Sequence, residues 1–540
     1  MTHPLHIPEI QSAICREANL SKRDVCQLAL TSRNWRDIAL PVIWESIPNL
    51  CPLLHLMPSD AFHWPNYDTV SWPRVAFSFN RALTPEDWAP VYKRSVFVKS
   101  YEGGDLRQLG KQRPILLAEP VIEAILQCPP PSCLLPHLRR LEFRATDLDE
   151  LGLYRRFFNI LASPSVTSLR IPENPAMILG DPRNIVERFP HIERIDLLDE
   201  RWRWMRQPYL NQDYTGHMVK ALDRWPRLTS VQLAMCYDPA LLASLSQRES
   251  IRALGISFCN VPIQATVPPL PSEGPYFASL QHIHLTGVSI DFAAALVQSW
   301  GIARMESASF ALHPPPTSSE SVQHLLEAIR EHCDHETLRV VEVQSFPEMV
   351  ASPLLLDHIR PLSVFCHLTT VVVDATEGVM LTDDNHEEVA IWWEGLEVLK
   401  FNTKLIAEET PDGQWNIITP ATVFPLLQYA CNCPNLHTLQ MSFSAYYYTP
   451  PMTDDLHHKQ DENHPLRTLS VGDSPVDSEF DVPMLLWRVF PNLERILHDE
   501  INQRSATWET VEAGVGILRH AAEMDKEHKE RCEECAERAE

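Results

Sequence analysis

Glycine is scarce, 16 residues in 540, and the frames that use it for chemistry are missing. No GxxxxGK[ST], GxGxxG, GxSxG or HExxH occurs, so neither a phosphate-cradling loop, a nucleophile elbow nor a zinc-protease helix is encoded. The expectation is a non-enzyme that needs no cofactor. Apolar runs never approach the roughly 18 residues of a membrane-spanning helix, and the start, MTHPLHIPEIQSAICREANL, lacks the basic region and apolar core of a signal peptide. The 13 cysteines follow no framework spacing, which suits reduced thiols in the cytoplasm or nucleus. Positive charge is short as well: 46 Lys and Arg against 71 Asp and Glu leave a formal charge of −25. Such a surface repels phosphate backbones and anionic membranes. Proteins are the expected partners, with no nucleic acid and no membrane.

What is present is a repeat. In IRALGISFCN, apolar residues Ile251, Leu254 and Ile256 stand at the first, fourth and sixth places and Cys259 at the ninth, the spacing of a leucine-rich repeat. The frame recurs at Leu138, Val166, Ile192, Leu228, Leu280, Met305, Leu338, Leu368, Leu396, Leu436 and Leu466. Leu138 to Leu466 spans 328 residues in 11 steps of 23 to 40, a mean period of about 30. Stretches such as YRRFFNILA, GHMVKALDRW, ALLASLSQ, FAAALVQSW, SVQHLLEAIREHC, TVFPLLQYACNC and VPMLLWRVF lie between frames, with apolar residues at 3 and 4 spacing, the helical period. A helix between successive parallel strands predicts an α/β horseshoe solenoid over residues 136–500. Insertions at 261–276, 374–388, 402–416 and 445–465 are expected as loops, and residues 501–540 as an acidic helical tail.

Residues 1–48 read as three short helices. Ile7, Ile10 and Ile14 share a face, Pro8 suits a first turn, and Asn19 or Ser21 can cap the second helix, with Asp24 placed three residues after Ser21 in a box-like pattern before Val25, Leu28 and Ala29. Pro41 is expected to bend or end the third helix. IPEI followed by LSKRDVCQLALTSRNWRDIALPVIW resembles the F-box, through Ile7, Pro8, Glu9, Ile10, Ile14, Leu20, Asp24, Leu28, Ser32, Arg33, Trp35, Arg36, Ala39 and Trp44. It departs from that pattern where Cys15 and Arg16 follow Ile14. The segments LCPLLHLMP and RALTPEDW look like the F-box proteins of mushroom-forming fungi. The resemblance implies a substrate-recognition subunit of an SCF-type, cullin-RING ubiquitin ligase, which docks on a Skp-type adaptor and through it a cullin, while the repeats hold a target protein. It implies adaptor contacts at Ile7, Pro8, Ile10, Leu20 and Val25. The alternative is a scaffold in which these helices cap the repeats.

Residues 49–135, rich in proline and tryptophan, read as a packed connector: Thr84, Pro85 and Asp87 make a helix start, and a degenerate repeat is expected near Val96. On the outward, concave face the frame leaves its third, fifth and seventh residues. These are Arg140, Glu142, Arg144, Arg170, Arg194 and Asp196 early, then Ser230, Ala253, Gly255, Ser257, His282, His284, Ser307 and Ser309, then Lys400, Asn402, Thr438, Gln440 and Ser442. Target contacts are expected at Arg140, Arg144, Arg170, Arg194, His282, His284 and Lys400. The arginines suit an acidic partner segment; pairing with carboxylates on the same surface is the other reading. His332, Cys333 and His335, and His520, His528, Cys532 and Cys535, have metal-ligand chemistry, but a helix-end histidine pair and a polar tail explain them, and no metal is expected.

Overall fold

The computed structural model describes residues 7–17, 20–63, 75–76, 78–103, 115–117, 119–144, 151–172, 175–198, 212–259, 276–300, 303–314, 316, 318–345, 353–374, 378–401, 406–409, 415–418, 421–445, 464–472, 474–476, 481–498 and 505–537. It divides into two compact units, Met1–Ser244 with Gly255–Cys259, and Leu245–Leu254 with Asn260–Glu540.

The first unit begins with three helices, α1 (Pro8–Cys15), α2 (Lys22–Thr31) and α3 (Arg33–Trp44). Pro8 occupies the first turn of α1, where its missing N–H is not needed. The Ser21 side chain accepts the Asp24 backbone N–H and the Asp24 carboxylate accepts that of Ser21, so the expected capping box forms. The Ser21 hydroxyl, more than its backbone N–H, holds the Asp24 carboxyl below the usual carboxylate range. Ser32 accepts from the backbone of Trp35 to open α3, which continues through Pro41 to Trp44. Cys15, Val25 and Ala39 form a small core, packed over by Leu20, Leu28, Ala29, Trp35, Val42 and Ile43.

Strands follow in chain order: β1 (Ser46–Ile47), β2 (Ser100–Tyr101), β3 (Arg140–Glu142), β4 (Ser168–Arg170), β5 (Arg194–Leu197), β6 (Ser230–Cys236) and β7 (Ala253–Cys259). Neighbours from β1 to β6 pair in parallel. A parallel pair needs a long crossover, which helices such as Leu151–Leu161 and Gln212–Asp223 supply. Each strand from β3 starts two residues after the first apolar position of its frame. Leu138, Leu141 and Phe143 are buried, as are Val166, Leu169 and Ile171 in the next frame, each burial contributing about 1.5–3 kcal/mol. β1 and β2 start the ladder earlier than the twelve frames, β2 two residues after the buried Val98.

Between β1 and β2, Thr84 and Asp87 cap a 3₁₀ turn, Pro85–Trp88, that leads into the helix Ala89–Ser95. Trp88 is fully buried and donates its indole N–H to the Cys128 carbonyl. Arg81 clamps the buried Asp87 with two nitrogens, each 2.8 Å from a carboxylate oxygen, and reaches Asp60 at 2.7 Å. The Arg81 guanidinium holds the Asp87 carboxyl down at about 2, against an ordinary 3.8. Its contribution to stability is therefore full above pH ~4 and is lost as pH falls toward 2. Asp87→Ala should destabilise the chain by about 3 kcal/mol, because it leaves the partner charge without its buried acceptor. Urea unfolding at neutral pH reads this directly, and the difference should shrink near pH 2.

The second unit continues the pattern with β8 (His282–Val288), β9 (Ser307–Leu312), β10 (Val340–Ser345), β11 (Thr370–Asp374), β12 (Val398–Phe401), β13 (Thr438–Gln440), β14 (Thr468–Gly472) and β15 (Arg495–His498), all parallel. Helices Ile290–Gln298, Ser319–His332, Phe424–Asn432 and Asp481–Val489 fall where the 3 and 4 spacing places them. The acidic stretch 374–388 departs from the expected loop: Thr382 and Asn385 cap a helix, Asp383–Ala390, that buries His386 and Val389. The insertion 402–416 contributes to an antiparallel hairpin, Ile406–Glu409 with Trp415–Ile418. The helix Ser505–Glu537 packs Trp508, Val511 and Val515 inward, whereas residues 520–532 are exposed.

Buried indoles recur at the corners of both units. Trp225 donates to the Phe189 carbonyl at 2.7 Å, Trp393 to that of Leu362 at 3.4 Å and Trp508 to that of Ser474 at 2.8 Å. In each case the acceptor lies one repeat earlier, so packing and a satisfied N–H are obtained from the same neighbour.

Candidate functional site

Two surfaces of the first unit and one of the second hold the residues singled out by the sequence. On the N-terminal helices, Ile7 and Ile10 are each 37% exposed beside the exposed Pro8, and Leu30 on α2 is 79% exposed. Gln11, the next residue along α1, is fully buried and accepts from Asn34 at 2.9 Å, which pins α1 to α3. The five expected adaptor contacts therefore separate. Ile7, Pro8 and Ile10 face solvent, Leu20 is half-buried against the small core, and Val25 is 4% exposed within it. Val25 is a correction: the stripe Val25, Leu28, Ala29 is what α2 packs inward, so its side chain is not offered to a partner. The helices are tied to the first strands through Lys22 Nζ to the Ser46 carbonyl at 2.7 Å and through Glu45, which meets Arg16 at 3.1 Å and Lys99 at 3.0 Å.

Register places the outward residues of the first unit in rows. Ser46, Ser100, Arg140, Ser168, Arg194 and Ser230 are successive cross-strand neighbours. The adjacent row runs Glu142, Arg170, Asp196 and Gln232. Two of the arginines pair with carboxylates on the same surface. Arg144 meets Glu142 at 2.7 Å, and Arg170 meets Glu142 at 3.5 Å and Asp196 at 3.2 Å. Arg144 is only 17% exposed, so it and Arg170 are engaged by their own surface. Arg140 and Arg194 are exposed and form no ion pair among the described residues. Gly255 and Ser257, expected outward, are buried. The Gln232 side chain lies across Gly255, 3.1 Å from where a Cβ would stand, so short residues between long ones are roofed over.

In the second unit His282 is exposed, 3.8 Å from Glu306. His284 is half-buried, with Nδ1 at 2.9 Å from Ser309 Oγ and Nε2 at 3.1 Å from Thr286 Oγ1. Ser309 donates its one proton to Glu342 at 2.7 Å. It must then accept from His284 Nδ1–H, which leaves Nε2 to accept from Thr286. The serine proton points away from the imidazole, the reverse of a nucleophile and its base. Ser309, in the same outward row as His284 and Glu342, is consequently covered and only 7% exposed. Ser307, Thr438 and Gln440 are half-buried, Ser442 is buried, and Lys400 stands between Val372 and Gln440. Asn402 lies outside the described residues.

The thiol and histidine clusters are not gathered. His332 Nδ1–H donates to the Trp300 carbonyl and His335 Nε2–H to that of Arg330, while burial pushes the Cys333 thiol up to about 12. Cys532 Sγ and His528 Nε2 are 4.0 Å apart and exposed, and the Cys535 side chain lies outside the described residues. Among the described residues no three His, Cys, Asp or Glu side chains are grouped to hold a metal ion, and no helix is long and apolar enough to cross a membrane.

One buried pair escaped the sequence reading. His386 Nδ1 is 2.8 Å from the Tyr429 hydroxyl and the rings meet edge to face. Burial drives the His386 pKa from 6.5 down to about 3. The folded chain thus resists a proton that the unfolded chain takes up: stability is full above pH ~6.5 and falls below it, by up to about 1.4 kcal/mol per pH unit. His386→Asn should flatten that decline when urea unfolding at pH 7 and pH 5 is compared. A helical pattern with histidine facing inward gives no hint that tyrosine 43 residues later will meet it.

No protein-family model matches the chain, and no curated protein matches it in sequence. Among solved structures it aligns with a chain of the crystal structure of the Rad7 and Elc1 complex in yeast, over 86% of this chain and 88% of that one, at 12% sequence identity and a TM-score of 0.29. So low a TM-score establishes no shared fold.

Proposed function

We propose that the chain is a substrate-recognition subunit of an SCF-type ubiquitin ligase. In this reading α1–α3 act as an F-box that docks on a Skp-type adaptor, and through it a cullin. The strand faces hold a target protein, and the chain itself carries no catalytic group. The observation that supports the reading best is the placement of Ile7, Pro8 and Ile10. The start of α1, a helix that buries Gln11 and Cys15, leaves Ile7 and Ile10 exposed, an arrangement that makes sense for a surface covered by a partner.

A second reading, a protein-interaction scaffold capped by these helices, is favoured by the ties of Lys22 to Ser46 and of Lys99 to Glu45. Co-expression with a Skp-family adaptor followed by size-exclusion chromatography separates the two. A stoichiometric complex that is lost when the chain starts at residue 50 supports the ligase subunit. A folded full-length chain that elutes apart from the adaptor sinks it, and aggregation of the shortened chain then points to the cap.

A further inference from the structure

Among the described residues, Arg140 on β3 and Arg194 on β5 are outward cations of the first unit's ladder that form no ion pair. Among the described residues, the acids on the neighbouring strands and loops have other partners: Glu142 with Arg144 and Arg170, Asp196 with Arg170, Glu193 with Arg227 at 2.8 Å, and Glu102 with the Ser46 hydroxyl. Between the two arginines, on β4, stands the half-buried Ser168, which pairs in register with both. Two unneutralised guanidinium groups flanking a hydroxyl on a protein of net charge −25 form a local exception to the field of the whole chain.

We infer that this row is the docking site for an extended acidic segment of the target protein, one carboxylate to each arginine. The inference deepens the proposed function by naming the class of segment recognised, and it rests on the target being held by the repeats. Geometry sets the spacing. Two strand steps separate Arg140 from Arg194, about 9.5 Å. A polyproline II segment returns to the same face every 3 residues, about 9.3 Å. An acidic residue, two spacers and a second acidic residue, crossing the strands in that conformation, therefore meets both guanidinium groups at once. Planar guanidinium forks favour carboxylate partners through paired N–H donors, and the surrounding negative charge disfavours a nucleic acid.

The test uses the full chain and fluorescence anisotropy at low ionic strength, where surface charge is least screened. The probe is a labelled proline-rich peptide with two glutamates three residues apart. Binding should weaken about tenfold on Arg140→Ser and again on Arg194→Ser, and a glutamine version of the peptide should not bind. The doubly reversed variant, Arg140→Glu with Arg194→Glu, should lose the glutamate peptide and gain the matching lysine peptide, an outcome a misfolded variant cannot give. Equal affinity for the glutamate and glutamine peptides overturns the inference, as does a double serine variant that binds like the parent. A single-stranded oligonucleotide that displaces the peptide at lower concentration overturns it too. No adaptor is needed for this readout, so its failure leaves adaptor binding untouched, and loss of adaptor binding leaves the peptide result standing.

Discussion

Ile7→Asp with Ile10→Asp should reduce affinity for a Skp-type adaptor at least about a hundredfold while leaving the chain's unfolding midpoint nearly unchanged. Each isoleucine is 37% exposed, and burying the remainder against a partner is worth on the order of 1–2 kcal/mol per side chain. A carboxylate at the same place must also be desolvated on docking, a further loss. In the free chain both positions face solvent, where substitutions typically change stability by no more than about 0.5 kcal/mol. Isothermal titration against the adaptor and thermal unfolding of the free variant give the two numbers. If the variant binds as the parent does, these residues are not the docking face. Val25→Asp is a poor substitute for this test, because it places a charge among Cys15, Ala39 and Trp35 and would disrupt the three-helix unit itself.

Trp508→Ala should cost about 3–5 kcal/mol, in the range found when large aromatic side chains are removed from a core. Trp508 is 1% exposed, meets Phe443 edge-on with ring centroids 6.0 Å apart, and donates to Ser474. The variant would lose apolar burial, create a cavity and leave the Ser474 carbonyl without that donor. Because the helix Ser505–Glu537 buries Trp508, Val511 and Val515, ending the chain before Ser505 should have the larger effect, exposing the apolar surface that these side chains cover and producing light scattering well below the parent's melting temperature. Trp508→Phe, which keeps the bulk but not the N–H, should recover more than half of the alanine loss. If the alanine variant unfolds in urea within about 1 kcal/mol of the parent, the helix only rests on its neighbours.

The strands were the most legible part of the chain. Twelve frames gave twelve strands, each offset by two residues, because one pattern of three apolar positions is repeated wherever a strand must bury one face. β1, β2 and β15 were missed for an identifiable reason: their sixth frame position holds Asn49, Gly103 or His498 rather than an aliphatic residue. The helix Asp383–Ala390 was hidden by its acidic composition, since its cap and its buried His386 outweigh a poor apolar stripe. The outward rows were legible as positions but not as surfaces. Periodicity says which way a side chain leaves the sheet. It does not say that Gln232 will roof Gly255, or that Ser309 will sit between His284 and Glu342. On the helices the resemblance could not separate Val25 from Ile10, because both are aliphatic at family positions and only packing distinguishes them.

The indole ties that run one repeat back also bear on how the chain comes into being. Each acceptor carbonyl, from Phe189, Leu362 or Ser474, lies 36, 31 or 34 residues before its tryptophan. During synthesis each of these three acceptors is therefore made before its tryptophan, whereas the Trp88 indole waits for the Cys128 carbonyl, 40 residues later. Structure of this locality folds by extension from whatever is already formed. A pause in translation within a repeat would strand one unfilled corner rather than an unformed core.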